Sequence, residues 1–241
     1  MKSLPYEYKV WSQHKEDGII KVLTDSIKNN TKIFLEIGWG NGTENMTHHL
    51  MDQGWTGTGV DADPRIFKDS VLPKEFKHIV LKVTPKNVHK AFKDTPKVFD
   101  FFSLDIDSYD YEISKWLLEN QYTPKVVCLE INKRFGPKVH ASFPYIEFAA
   151  NHNGFYKKTG LFGVSLAKYK RLWNRYGYTY FGYDTSANNI FFYHKDYVKN
   201  LDDIVTHPDE NFPVKDDSNM ITMVQENSYW KILKNDIWRE D

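Results

Sequence analysis

The sequence has little of what marks secreted, membrane or polyanion-binding proteins. Its 241 residues include one cysteine, Cys128, which lies in the apolar run VVCLEI and is predicted to be a buried residue of a reducing compartment. No apolar run approaches the length of a membrane span, and the opening residues lack the apolar core of a secretory signal, so we expect a cytoplasmic protein with no membrane partner. Basic and acidic residues both number 32, which disfavours nucleic acid as a partner.

Apolar runs alternate with helical patterns and predict an α/β fold. We expect a doubly wound, Rossmann-like sheet of seven strands, mostly parallel with an antiparallel closing strand. A single domain is predicted, with an N-terminal cap at 1–30, a Rossmann-like core at 31–198 and a C-terminal tail at 199–241. The predicted strands are 32–37, 57–61, 78–83, 99–107, 125–132, YTYFGY and NIFFYHKDY. The predicted helices are 10–28, 43–53, 84–92, 111–120 and 164–177.

A glycine-rich loop follows the first predicted strand and indicates a nucleoside site. Glu36 ends that strand, Gly38, Gly40 and Gly42 alternate after it, and Asp61 ends the next strand. Glycines let a backbone approach a ligand closely, the following helix directs its amides at that ligand, and an acid at the second strand tip suits a ribose diol. A dinucleotide motif needs glycine at position 43, which is threonine here. The alternative is a glycine turn without a ligand.

The pattern E-x-G-x-G-x-G and the later VDADP resemble motif I and the second acidic motif of class I S-adenosylmethionine-dependent methyltransferases. The resemblance implies S-adenosyl-L-methionine as the cofactor. The residues expected to bind it are Glu36, Gly38, Trp39, Gly40, Gly42, Asp61, Ala62 and Asp105.

Polar side chains also follow the fourth and fifth predicted strands. Asp105 and Asp107 end SLDID, and Glu130 and Asn132 end CLEIN. If these strands are neighbours, the carboxylates converge beside the glycine loop, where they suit Mg²⁺ or another divalent cation, or a general base. Asp105, Asp107 and Glu130 are therefore the predicted catalytic and metal-binding residues. The alternatives are that Asp107 caps the next helix, that Asp110 interacts with its dipole, and that Asn132 only bonds loop backbone.

Several further segments resemble FkbM-like methyltransferases and a related uncharacterised group. They are SQHKEDGII, SLDIDSYDYEISKWL, PKVVCLEINKRFGP and LFGVSLAKYKRLWNRYGYTYFGYDTSANNIFFYHKDY. The resemblance covers about 11–198 and implies methyl transfer, often to an oxygen of a carbohydrate or similar small metabolite; a comparable D-x-D in some sugar O-methyltransferases holds a divalent metal. Ser108 replaces the usual glycine after D-I-D, and His14 and Lys15 replace small or apolar residues.

Other residues have two readings each. Gln13, Glu16 and Asp17 either fold over the cofactor as a lid or serve as helix caps and surface charges. The histidines His48, His49, His140 and His152 are expected to serve packing or surface roles before metal or base chemistry. The insert 133–160 is aromatic and basic, and it is expected to overhang the strand tips or to pack as an ordinary loop.

Three functions compete: a small-molecule or glycan O-methyltransferase, a protein or nucleic-acid methyltransferase, and a non-catalytic nucleoside-binding protein. The acceptor, the oligomeric state and the role of the tail stay open.

Overall fold

Seven apolar segments form the strands of one sheet. The structure, a computed structural model, describes residues 1–65, 76–147, 162–199 and 201–214. Its strands are β1 (Ile33–Ile37), β2 (Thr56–Asp61), β3 (Lys77–Val80), β4 (Val98–Leu104), β5 (Thr123–Glu130), β6 (Tyr178–Tyr183) and β7 (Asn189–His194). They lie in the order β3–β2–β1–β4–β5–β7–β6, with β1 to β5 parallel and β7 antiparallel to both its neighbours. The predicted doubly wound Rossmann-like fold is confirmed.

The helices of the described chain cover both faces of this sheet. They are α1 (Glu16–Asp25), α2 (His48–Asp52), α3 (Asp110–Glu119) and α4 (Leu166–Arg175). Short 3₁₀ turns occupy Val88–Lys90, Lys133–Phe135 and Asp209–Asn211. No helix among the described residues is long and apolar enough to cross a membrane.

Both faces of the central strands are apolar, as expected for a doubly covered parallel sheet. Successive side chains of a strand point to opposite faces, so Phe101 packs with Cys128 on the α1 side and Phe102 packs on the α3 and α4 side. Cys128 is fully buried, as predicted. Because the five parallel strands end together, the residues after Ile37, Asp61, Leu104 and Glu130 form one edge, called here the carboxyl edge. The opposite ends form the amino edge.

Helix α2 is shorter than the predicted helix 43–53. The backbone amides of Met46 and Thr47 donate to the Glu36 carboxylate at 2.8 and 3.1 Å, so this stretch closes onto β1 before the helix starts. The prediction of a helix at 84–92 is wrong, since the region contains only a 3₁₀ turn. Asn87 explains this, because its side chain accepts from Thr84 N and donates to Lys82 O, and such local bonds compete with a helix.

The first part of the predicted tail is packed against the core. Phe212 is buried in the α3 and α4 side of the sheet, and Tyr183 Oη donates to Pro208 O at 2.9 Å. The buried side chains of Glu7 and His207 approach to 3.4 Å, which joins the N-terminal segment to this stretch. The predicted boundary at 199 therefore does not separate a loose segment over 201–214, and the division of the chain into domains stays a prediction.

Candidate functional site

The glycine loop after β1 is tied closely to β2 and to the loop after β4. Gly38 N and Trp39 N both donate to Val60 O, at 2.9 and 3.1 Å. Gly38 has a φ of 86°, and a Cβ there would lie 1.5 Å from Asp105 O. Only glycine fits a site with this left-handed backbone and this close approach. The loop is thus seated directly on the residue that begins the acidic group.

Gly40 is the point of the loop that faces open space. Its φ is 65°, and a Cβ added there would meet no atom within 4 Å. Gly40 N donates to Asp61 Oδ2 at 2.9 Å, and Asp61 Oδ1 accepts from Asp63 N at 2.9 Å. A carboxylate offers about four acceptor positions, so Asp61 keeps capacity for two hydroxyl groups of a ligand. Ala62, the next residue, is exposed at the same edge.

Trp39 points into the protein. Its side chain is fully buried and packs against Gly42 and Gly59, where an added Cβ would lie 2.5 and 2.7 Å from the indole. These two glycines are therefore required for packing of the indole. Trp39 is one of the residues expected to bind the cofactor. Because its side chain is buried, only its backbone atoms can make such a contact.

Glu36 is also internal. Its carboxylate accepts hydrogen bonds from Met46 N and Thr47 N and a short one from the Thr47 hydroxyl. Burial raises the pKa of Glu36 to about 7, although these hydrogen bonds act in the opposite direction. Glu36 fixes the position of residues 46 and 47, which follow the glycine loop. It would therefore affect cofactor binding through the conformation of the loop and not by direct contact.

Asp105, Asp107 and Glu130 come together as predicted. Strands β4 and β5 are parallel neighbours with Leu104 opposite Leu129, which places Asp105 beside Glu130. One carboxylate oxygen from each of the three residues lies within 4.8 Å of the others. Burial and the charge of Asp107 raise the pKa of Asp105 to about 7. Burial and the charge of Asp105 hold the pKa of Glu130 well above its usual range.

Both pKa values are raised because burial disfavours the charged forms and because two close carboxylates resist ionising together. Among the described residues, no lysine or arginine forms an ion pair with any of the three acids. Glu130 Oε2 is buried without a hydrogen-bond partner. A cationic group placed here would balance the charge of the three acids and give Glu130 Oε2 a partner. Hard oxygen donors at these separations suit Mg²⁺ or Ca²⁺, and Asp105, Asp107 and Glu130 are the residues that would hold it.

The loop that carries Asp107 is shaped by Asp110. Asp110 is buried and accepts from Ile106 N at 2.9 Å and from Ser108 N at 3.0 Å. Asp107 is exposed and has a φ of 54°, an uncommon conformation for a non-glycine residue. The capping residue of α3 is Tyr109, without a side-chain cap, so Asp107 does not cap this helix. Asn132 bonds to loop backbone, since it accepts from Arg134 N and donates to Phe162 O.

Glu16 and Asp17 bond to the N-terminal segment and to β7, and the capping residue of α1 is Lys15, without a side-chain cap. Asp17 Oδ2 accepts from three successive backbone amides, those of Val10, Trp11 and Ser12. Glu16 is buried, and its carboxylate accepts from His14 N and from Asn189 Nδ2, at 2.6 and 2.8 Å. Both acids therefore hold structure. Gln13, the third residue of the predicted lid, is exposed.

Trp11 lies near the glycine loop and was not among the predicted site residues, whereas the packing role expected for His48 agrees with the structure. Trp11 stacks on His48 with ring centroids 3.9 Å apart, and His48 Nδ1 lies 2.6 Å from Gly42 O. The N-terminal segment thus reaches the loop through this stacked pair. No spacing in the sequence indicates the contact, because the two residues lie on different elements.

The insert after β5 is less exposed than its composition suggests. Phe135 and Phe143 are buried, so these two rings pack in the core. Lys133 donates to Ser186 O, while Arg134 and His140 are exposed. His152 and the aromatic residues at 155 and 156 lie outside the described residues.

No protein-family model and no curated protein matches the chain. Solved structures with similar folds include S-adenosylmethionine-bound CalS10, an amino pentose methyltransferase from Micromonospora echinaspora (12% identity, TM-score 0.45, covering 78% of this chain and 92% of that one). The glycopeptide N-methyltransferase MtfA, complexed with S-adenosylmethionine, has 9% identity and a TM-score of 0.44, covering 78% and 96%. LepI in complex with S-adenosylmethionine has 12% identity and a TM-score of 0.46, covering 78% of this chain but 50% of that chain.

Proposed function

We propose that the protein is an S-adenosylmethionine-dependent methyltransferase that acts on a hydroxyl group of a small, polar acceptor, with a sugar as the favoured class. One observation carries the proposal. The open backbone at Gly40, with Asp61 beside it, adjoins the acid group through the contact of Gly38 with Asp105. The residues proposed to bind the nucleoside and those proposed to accept the proton share one edge of the sheet.

The charge of this edge supports the choice of cofactor. S-adenosylmethionine supplies an electrophilic methyl group on a positively charged sulfur. The acids after β4 and β5 form no ion pair within the described chain, and a cationic ligand beside them is favoured by their charge. Asp61 is the proposed acceptor for the ribose hydroxyls, since its free acceptor positions lie next to Gly40.

The proposed chemistry needs an aligned hydroxyl and a group that takes its proton. As the acceptor oxygen bonds to the methyl carbon, the carbon–sulfur bond breaks and the hydroxyl proton passes to a carboxylate. Glu130 and Asp107 are the candidate bases, and Asp105 is the neighbour that shares a proton with Glu130. A divalent cation held by the three acids would lower the pKa of the hydroxyl.

The cofactor proposal is tested by calorimetry with S-adenosylmethionine and with its demethylated product. Asp61→Ala is expected to weaken binding by about 1–3 kcal/mol, the scale of a charge-assisted hydrogen bond. Asp63→Ala is the matched control, because Asp63 follows the same strand and, among the described residues, its side chain bonds only the neighbouring Arg65. Absence of binding to the folded wild-type protein would end the enzyme proposal. Screening of activated sugars, peptides and RNA with a labelled methyl donor tests the acceptor class.

A further inference from the structure

The charge balance of the chain hides a strongly basic region. Residues 76–97 contain six lysines and one aspartate, a formal charge of +5, although the whole chain is neutral. Five of the lysines recur every three or four residues and are exposed, and they are called here the basic strip: Lys82, Lys86, Lys90, Lys93 and Lys97.

Buried apolar residues hold the strip against the sheet. Val88, Ala91 and Phe92 alternate with the lysines and are almost fully buried. Phe92 packs against Phe102 and Trp116, with ring centroids 5.9 and 5.5 Å apart. The ammonium groups are thus displayed from a packed backbone, which lowers the entropy lost when a ligand is bound.

The strip crosses the sheet from one edge to the other. At its start, Val83 O accepts from Tyr109 Oη at 2.7 Å, and Tyr109 follows Asp107 by two residues. At its end, Lys97 O accepts from Thr123 N, the first residue of β5 on the amino edge. The seven residues of β4 give the length between these points as roughly 20 Å, at about 3.3 Å per residue. The strip therefore begins beside the candidate site and leads away from it.

Most of this charge is available to a partner. Within the described chain, Lys90 and Lys93 take part in no ion pair, and the Lys86–Glu147 pair is exposed on both sides and contributes little. Lys97 is held by Asn120 O and the Tyr122 ring but keeps its charge.

We propose that the basic strip binds an anionic glycan, one that carries sulfate or carboxylate groups along its length. Lysine is a point charge that suits such spaced anions, and the region 76–97 contains no arginine, the residue preferred for bidentate recognition of phosphates and bases. No phenylalanine, tyrosine or tryptophan of 76–97 is among the large hydrophobic side chains exposed in the described structure, so the exposed rings of the region are the imidazoles of His78 and His89, which disfavours a base-stacking platform of the usual aromatic kind. Within the described part of the chain, the large apolar side chains exposed next to this region in sequence are Val80 and Val98, too few for the core of a protein interface.

The position of the strip also defines the acceptor. A glycan lying along it would bring one end to Asp107, so that the methylated sugar belongs to a negatively charged oligosaccharide. This second step rests on the proposed function, whereas the binding surface does not.

The test measures binding of labelled probes: a heparin-derived hexasaccharide, an oligogalacturonate and an oligothymidylate. The triple variant K86Q/K90Q/K93Q is compared with the control K28Q/K195Q/K199Q, which removes three exposed lysines elsewhere. We expect the triple variant to bind the preferred glycan about tenfold more weakly at low salt, with a salt dependence less steep by about two, as for three lost anion contacts. The control is expected to stay within about twofold of wild type.

Equal affinity in both triple variants, no glycan binding by wild type, or stronger binding of oligothymidylate than of either glycan would overturn the proposal. Calorimetry of S-adenosylmethionine on the same K86Q/K90Q/K93Q protein separates the two proposals, because its methyl-donor site is left unchanged. If the protein binds the glycan but not S-adenosylmethionine, the methyltransferase proposal is wrong and the proposal for the basic strip stands.

Discussion

Strands β4 and β5 bring charged side chains together at both of their ends, with opposite chemistry. At the amino edge, Asp100 and Lys125 form an ion pair of 2.6 Å in which the side chains are 0% and 6% exposed. At the carboxyl edge, Asp105 lies beside Glu130, and no lysine or arginine of the described chain pairs with either. Opposite charges stabilise the first end, whereas burial and like charges at the second end raise the pKa values of Asp105 and Glu130 and favour an added cation.

The amino edge satisfies its buried acid completely. Asp100 Oδ1 accepts from Lys125, and Oδ2 accepts from Thr31 N and from Ile33 N at 2.9 and 3.0 Å. Lys125 also donates to Asn29 O. This network joins the start of β1 to β4 and β5, so its role is structural. In the described part of the chain, the acids at the other edge pair with no lysine or arginine and Glu130 Oε2 has no hydrogen-bond partner, and this difference marks the carboxyl edge as the candidate site.

The largest effect on stability is expected at the amino edge. Lys125→Met leaves Asp100 buried without its counter-charge and should reduce the free energy of unfolding by about 3–5 kcal/mol. Chemical denaturation measures this loss. The double variant with Asp100→Asn is expected to recover part of it, and a single variant as stable as wild type would contradict the comparison.

At the carboxyl edge, a neutral substitution is expected to harm activity and not folding. Glu130→Gln should lower turnover by about 10²–10³-fold through loss of the proton acceptor, while affinity for the cofactor stays near normal. Single-turnover assays and calorimetry measure the two quantities. Glu112→Gln is the control, since Glu112 lies on α3 and not at the end of β5, and burial raises its pKa to about 7. Equal losses in both variants would indicate a structural role.

The pH dependence of stability is expected to follow from the carboxyl edge. Burial raises the pKa of Asp105 to about 7, and Glu130 shifts in the same direction, so the folded state binds more protons than the unfolded state between about pH 4 and pH 7. The contribution of these groups is present at low pH and is lost as pH rises through 7. Denaturation at pH 5.5 and pH 8 checks this.

In Glu130→Gln, the decrease in unfolding free energy between these pH values should be smaller. It should not vanish, because Glu36 and Glu16 also have pKa values raised to about 7 by burial. An unchanged pH profile would show that the Asp105–Glu130 pair does not retain a proton.

The smallest expected effect is that of a divalent cation. At pH 8, Mg²⁺ or Ca²⁺ should raise the thermal midpoint by about 2–4 °C, the equivalent of roughly 1 kcal/mol for a chain of this size. Asp107→Asn should abolish the shift, and Asp63→Asn should retain it. A wild-type midpoint that does not respond to either cation would remove the metal from the proposed function.

Much of the candidate site was predictable because it depends on strand ends. In a parallel sheet the residues after each strand meet at one edge, so Gly38, Asp61, Asp105 and Glu130 could be brought together from apolar runs alone. The fate of individual side chains was not predictable in this way. Trp39 and Glu36 lie in the same motif as Gly40, yet the side chains of both are buried. Only the packing of the folded loop shows that these two residues point inward while Gly40 faces open space.

The sequence by itself determined the α/β sheet, the burial of Cys128 and the position of the acids, because period, glycine spacing and strand order are local or topological properties. The tertiary structure decided which acids hold structure and which stay unpaired. Asp17, Asp100 and Asp110 found backbone amides or a lysine from elsewhere in the chain, whereas Asp105 and Glu130 found each other. It also decided that the lysines of 82–97 are displayed without an α-helix. The side chain of Asn87 closes a turn in the stretch where the sequence predicts a helix. Such outcomes depend on partners far apart in sequence, which no local pattern specifies.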